Sequence, residues 1–122
     1  MVSEDLRAEA TAVIAIADVS SAAYADAFSP RERAYAASKF DPERRLAARL
    51  AAKQAAVAAL GGSLELRDVE IVRGRGGPPR LELSERGRAR LTAIGGDRVL
   101  VSLTHGREHA AAAVLVLGGQ PR

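Results

Sequence analysis

A chain of 122 residues allows one domain with one sizeable core. With 48% hydrophobic but only 3% aromatic residues, that core has to be built from Ala, Val, Leu and Ile. The absence of cysteine excludes disulfides and thiolate metal sites, and the net charge of +3 comes with interspersed acids and no aromatics placed for base stacking, so no nucleic-acid partner is expected.

The first ten residues, MVSEDLRAEA, are acidic where a signal peptide would be basic, and no apolar run approaches membrane length. The expectation is a cytoplasmic protein without a membrane partner. Residues 1–11 read as a lead-in, 12–119 as a single domain and 120–122 as a tail. TAVIAIADV, Thr11 to Val19, is a compact apolar run with β-branched residues and predicts a buried strand that ends in Asp18. Ser20-Ser21 caps a short helix through Ala27. Ser29-Pro30-Arg31-Glu32 gives a cap, an N-terminal proline and an early glutamate for another helix, ending near Phe40.

Asp41, Pro42 and Glu43 then open a long alanine-rich helix that Gly61-Gly62 stops. Leu46, Leu50, Lys53, Val57 and Leu60 recur at three- and four-residue spacing, so Lys53 falls in or beside the apolar face. From this pattern alone, Lys53 reads as a lysine whose stem covers apolar surface while its ammonium reaches water. LELRDVEIV and RLELS predict a hairpin around the turn GRGGPP. Ser84 and Glu85 start a helix that Gly87 should weaken and Gly95-Gly96 should end. Two apolar runs, RVLVSLTH and AAAAVLVLGG, predict a closing antiparallel hairpin around GREH, and the whole order suggests an α+β fold. His105 and His109 stand four apart, but Gly106 and the strand pattern argue for a turn between them, so His105 is expected to hydrogen-bond in a cleft and not to ligate metal.

Several of these segments resemble the holo-acyl-carrier-protein-synthase type of 4'-phosphopantetheinyl transferase. They are the apolar AIADV ending in Asp18, Phe28-Ser29-Pro30-Arg31-Glu32, RLAAKQAAVAALG, the turn Gly76-Gly77-Pro78, and VSLTH from Val101 to His105. The resemblance implies antiparallel strands packed on the long helix, a homotrimer with coenzyme A in clefts between subunits, and Mg²⁺-assisted transfer of phosphopantetheine to a carrier-protein serine. It puts Asp18 at a metal-binding aspartate, Gln54 at a metal-binding glutamate and Lys53 at a lysine of the coenzyme A cleft. Ser102, Thr104 and His105 fall in the closing motif beside the nucleotide. Asp18 has a second reading from its own position, as a buried cap at the end of a strand.

Against that pattern, Gln54 replaces the acid, Ala58 replaces a lysine one turn later, and Tyr24 stands where a carrier-binding arginine is implied. An amide oxygen can ligate Mg²⁺ but brings no charge, and phosphoryl transfer depends on charge neutralisation. The expectation is therefore a reused scaffold: a metal-independent biosynthetic enzyme of the cyclisation or isomerisation type, in a polyketide or fatty-acid setting. It would act on an apolar small molecule in the inter-subunit cleft without cofactor, with Asp18, Gln54 and His105 as the catalytic set and Lys53, Ser102, Thr104, Ala58 and Tyr24 lining the cleft. The alternative is a working holo-synthase using coenzyme A and Mg²⁺, with Asp18 as metal ligand. A third reading is a non-catalytic protein that binds acyl carrier protein.

Overall fold

The computed structural model describes residues 4–73 and 76–119. Its elements run β1 (Glu4–Ala15), α1 (Pro30–Ala37), α2 (Pro42–Leu60), β2 (Val69–Arg73), β3 (Pro79–Leu83), α3 (Glu85–Ala93), β4 (Arg98–His105) and β5 (His109–Gly119). Three strands form an antiparallel sheet in the order β1-β5-β4, and β2 and β3 form a separate hairpin. The turn expected at GRGGPP includes residues 74 and 75, which lie outside the described residues.

Period-two alternation puts Ala10, Ala12 and Ile14 of β1, Val114 and Val116 of β5, and Val99 and Val101 of β4 on the face that packs against the core. Helix α2 lies across that face and buries Ala47, Ala48, Ala51, Ala52, Ala55 and Ala56. Methyl-sized side chains let the helix approach the sheet closely, which is how a chain with few aromatics still closes a core. The outer face of the sheet has no such cover. Val13 is 64% exposed, Leu100 42% and Leu115 37%.

Several expectations need correction. β1 begins at Glu4, so most of the supposed lead-in is paired with β5, from Glu4 opposite Gly119 onward. The strand stops at Ala15, and Ile16–Asp18 forms a 3-10 turn in which the Ile16 amide donates to the Glu108 carbonyl at 2.8 Å. Asp18 is consequently exposed and is not a buried strand-end cap. The short helix after it is only a 3-10 turn over Ala22–Tyr24, capped by Ser21.

α1 has the expected capping box, with the Ser29 hydroxyl accepting from the Glu32 amide and the Glu32 carboxylate accepting from the Ser29 amide, but it ends at Ala37. Asp41 makes no side-chain cap to α2, because its carboxylate accepts from Arg45 Nε at 3.0 Å instead. The first strand of the hairpin is shortened by a 3-10 turn over Leu66–Asp68. Gly87 does not weaken α3 so much as permit its seat, since a Cβ there would lie 3.0 Å from Leu83 Cβ.

Candidate active site

Lys53 is not a snorkelling residue. It is 1% exposed, and its ammonium donates to Glu32 Oε1 at 2.7 Å and to the Val69 carbonyl at 2.5 Å. Glu32 is equally buried and both of its oxygens are engaged: Oε1 also accepts from the Ser29 amide at 2.8 Å, and Oε2 accepts from the Ile71 amide at 2.9 Å. Burial pushes the Lys53 ammonium down from its ordinary value, and the Glu32 charge opposes that shift. This node ties α1, α2 and β2 together. Lys53 does touch a cavity of about 260 Å³, but that cavity also carries Asp68, Glu70 and Glu82, a poor lining for a phosphate. Sequence reasoning missed Glu32 as the partner. The available signal was a lysine inside an apolar stripe, which demands a buried acid somewhere.

One turn before Lys53 lies a different cation. Arg49 is 3% exposed, its guanidinium sits 3.9 Å from the centroid of the Tyr35 ring, and its Nε has no hydrogen-bond partner among the described residues. Lys39 stands over the same ring at 5.0 Å, and Arg45 and Arg73 also act on Tyr35. Burial would raise the Tyr35 phenol, but the Arg49 charge, the hydrogen-bonding Arg73 and the Arg45 charge bring it below the ordinary tyrosine value. Burial likewise lowers Arg49, with Tyr35 and Glu32 supporting its charged form. A buried guanidinium with a free N–H, amid three more cations, is suited to a phosphate group.

The end of the sheet adds polar groups to this corner. β1 ends, β4 ends and β5 begins at the same edge, since Ala15 lies opposite His109 and His105 lies opposite Ala110. His105 is exposed at that edge and close enough to Asp41 to help hold its carboxyl below the usual range, after the larger effect of the Arg45 hydrogen bond. Asp18 follows from the same edge. Gln54 is half-buried and Ala58 exposed, one turn apart on α2.

Ser102 and Thr104 are exposed on β4 and alternate with Val101 and Leu103, which pack on the core. They therefore lie on the outer sheet face, away from α2, and the chain does not bring them together with Lys53 and Ala58. Tyr24 is half-buried beside a separate cavity of about 300 Å³ that Val19, Ser20, Phe28 and Leu46 also line.

A divalent cation would want several oxygen ligands, preferably charged. Among the described residues, no three His, Cys, Asp or Glu side chains gather into such a set. Asp18 offers one exposed carboxylate and Gln54 a neutral amide, and magnesium is commonly held by one or two carboxylates together with substrate phosphates and water. His105 and His109 belong to no such set either. No described helix is long and apolar enough to cross a membrane.

No established family profile matches the sequence. The chain is 42% identical over 92 residues to a holo-[acyl-carrier-protein] synthase of Moorella thermoacetica, an alignment covering 73% of this chain and 72% of the relative. Its fold matches an acyl carrier protein synthase of Mycobacterium tuberculosis with a TM-score of 0.72 and 31% identity, covering 92% of this chain and 97% of the other. It also matches the coenzyme A complex of a synthase from Chronobacterium ammoniagenes, with a TM-score of 0.78 and 24% identity over 98% and 99% of the two chains. The chain belongs to the holo-acyl-carrier-protein synthase family.

Two expectations are thereby overturned. A scaffold reused for cofactor-free cyclisation or isomerisation has no counterpart among these relatives, which are named as synthases. The expectation of no cofactor also fails, because solved structures of this fold include synthases from Helicobacter pylori and Chronobacterium ammoniagenes in complex with coenzyme A. The physical reason is that Gln54 and Ala58 do not carry the whole electrostatic burden of the site: four cations gather around Tyr35 of α1, with Arg45 and Arg49 coming from α2, Arg73 from β2 and Lys39 from the turn between the two helices.

Proposed function

We propose that the protein transfers the 4'-phosphopantetheine group of coenzyme A to a serine of an acyl carrier protein in the cytoplasm. The observation that carries this reading, beside the family, is the buried, unpartnered Arg49 Nε within the Lys39, Arg45 and Arg73 cluster. A donor with several phosphates supplies the oxyanions this cluster needs. In the transfer, the serine oxygen bonds to the phosphorus that bears pantetheine. The bond from that phosphorus to the bridging oxygen breaks, and adenosine 3',5'-bisphosphate leaves. The guanidinium forks hold the donor phosphates and stabilise charge on the leaving group. Asp18, exposed at the sheet edge, is the carboxylate available to take the serine proton, and His105 orients the donor beside Asp41. Gln54 supplies a neutral amide where an acid would add charge.

The open outer sheet face supports a homotrimer. Val13, Leu100 and Leu115 are apolar and uncovered, and burying such a face favours self-association. In that assembly Ser102 and Thr104 would contribute to a cleft with a neighbouring subunit. Light scattering tests this, and a stable monomer at working concentrations would end it.

The direct test of transfer incubates the protein with coenzyme A, Mg²⁺ and an apo-carrier protein, and reads the carrier's mass. A gain of one phosphopantetheine is expected. A carrier that binds but stays unloaded would favour the non-catalytic reading. Gln54→Glu should raise the loading rate and steepen its Mg²⁺ dependence, because it adds the missing carboxylate.

A further inference from the structure

Phe40 is fully exposed, in a chain that spends only 3% of its residues on aromatics. It sits in the turn between α1 and α2, and both of its chain neighbours reach the cation cluster. Lys39 stands over the Tyr35 ring at 5.0 Å, and Asp41 accepts from Arg45 Nε at 3.0 Å. Asp41 also feels His105 from the sheet edge. The ring therefore stands in the turn between two residues of the site that holds Arg49, fully open to solvent. No described residue uses it for packing.

From this juxtaposition we infer that Phe40 is a stacking platform for the purine base of the nucleotide that the arginine cluster holds by its phosphates. The inference rests on the proposed use of coenzyme A and adds a named recognition element to it. Phosphate binding by guanidiniums is indifferent to the base, whereas an open aromatic face at the rim rewards a planar heterocycle. A flat base on the ring would also be flanked by Lys39. Such a contact discriminates coenzyme A from phosphopantetheine fragments that carry phosphate without a nucleoside.

The chain contains no tryptophan, so Phe40→Trp introduces a single reporter at the site. Calorimetric titrations would compare wild type, Phe40→Ala and Phe40→Trp with coenzyme A, adenosine 3',5'-bisphosphate and 4'-phosphopantetheine, alongside denaturant melts. Phe40→Ala should weaken both nucleotides roughly fivefold or more, leave phosphopantetheine unchanged and leave the denaturant midpoint in place. Phe40→Trp should keep the affinity, and its fluorescence should be quenched by both nucleotides.

Equal nucleotide affinity in Phe40→Ala, or an unquenched tryptophan, would overturn the inference. So would a Phe40→Ala variant whose only defect is a raised KM for the carrier protein, which would give the ring to the protein partner. If wild type binds the nucleotides with quenching in Phe40→Trp but loads no carrier, the stacking site stands and the transferase reading falls. If wild type binds neither nucleotide, both fall together.

Discussion

Lys53 and Arg49 are buried cations one turn apart on α2, and the two could hardly be more different. Lys53 has its carboxylate and a carbonyl, and Glu32 engages both of its oxygens with amides and ammonium. Arg49 has a ring against its face and an Nε with nothing to donate to. Burial alone does not sort structural from functional charge. Satisfaction separates these two: the internal partners of Lys53 hold the fold, whereas Arg49 Nε keeps a donor to spare for a ligand.

The largest expected effect tests the first half of that contrast. Lys53→Met leaves Glu32 buried without its counter-charge and should cost about 3–5 kcal/mol in urea unfolding. Adding Glu32→Gln should recover part of the loss, because the double variant no longer buries a lone carboxylate. A double variant as damaged as the sum of the singles would mean that the two residues do not act as a pair.

Arg49→Met should invert the pattern. It strands no carboxylate and deletes an unsatisfied donor, so the melt should change little, while coenzyme A affinity should fall at least about tenfold by calorimetry. If Arg49→Met destabilises as much as Lys53→Met, the distinction between them collapses. Arg49→Lys sharpens the point further: it keeps the charge but not the fork, and should recover only a fraction of the binding.

A smaller effect is expected at Ser29, whose hydroxyl caps α1 and donates to Glu70 Oε2 at 2.5 Å. Ser29→Ala should lower stability by about 1 kcal/mol, read as a shift in denaturant midpoint without a change in slope. The smallest is a pH effect. Backbone hydrogen bonding from Glu65 holds the Asp68 carboxyl below its ordinary 3.8, with help from Ser84, and Arg31 does the same for Glu70 below 4.5. Their folded values are depressed, so this stability is present above the ordinary values and is lost as pH falls through the folded ones. Asp68→Asn should flatten the acid limb of a stability–pH curve, and an unchanged limb would count against it.

Much of the fold could be read in advance because punctuation marks it. Asp41-Pro42 and Gly61-Gly62 bracket α2, and Ser29-Pro30 with Glu32 marks the start of α1. The β4 and β5 hairpin followed from two apolar runs around Gly106. The first half of β1 was not legible, because EDLRAEA carries charges at positions whose pairing depends on β5, about a hundred residues away. In the site, Arg45 and Arg49 were visible as an i, i+4 pair, but Arg73 arrives from β2 and Lys39 from the preceding turn, so the cluster exists only after folding. Glu32 was legible as the early glutamate that completes the cap of α1. Its second role, as the acid for Lys53, depends on packing between α1 and α2 that no local pattern encodes.

The central strand of the main sheet is also the last described element of the chain. β5 supplies the ladder for both β1 and β4, so β1 emerges long before it has a partner, and the alanine face of α2 has no complete sheet to lie on until His109–Gly119 is available. Closing so long a loop must precede the reward of pairing, which places sheet assembly late and makes it slow relative to helix formation. A chain that has not yet reached β5 would present an unpaired strand and an apolar helix face together, so production of this protein should be unusually sensitive to pauses or lesions within or before β5.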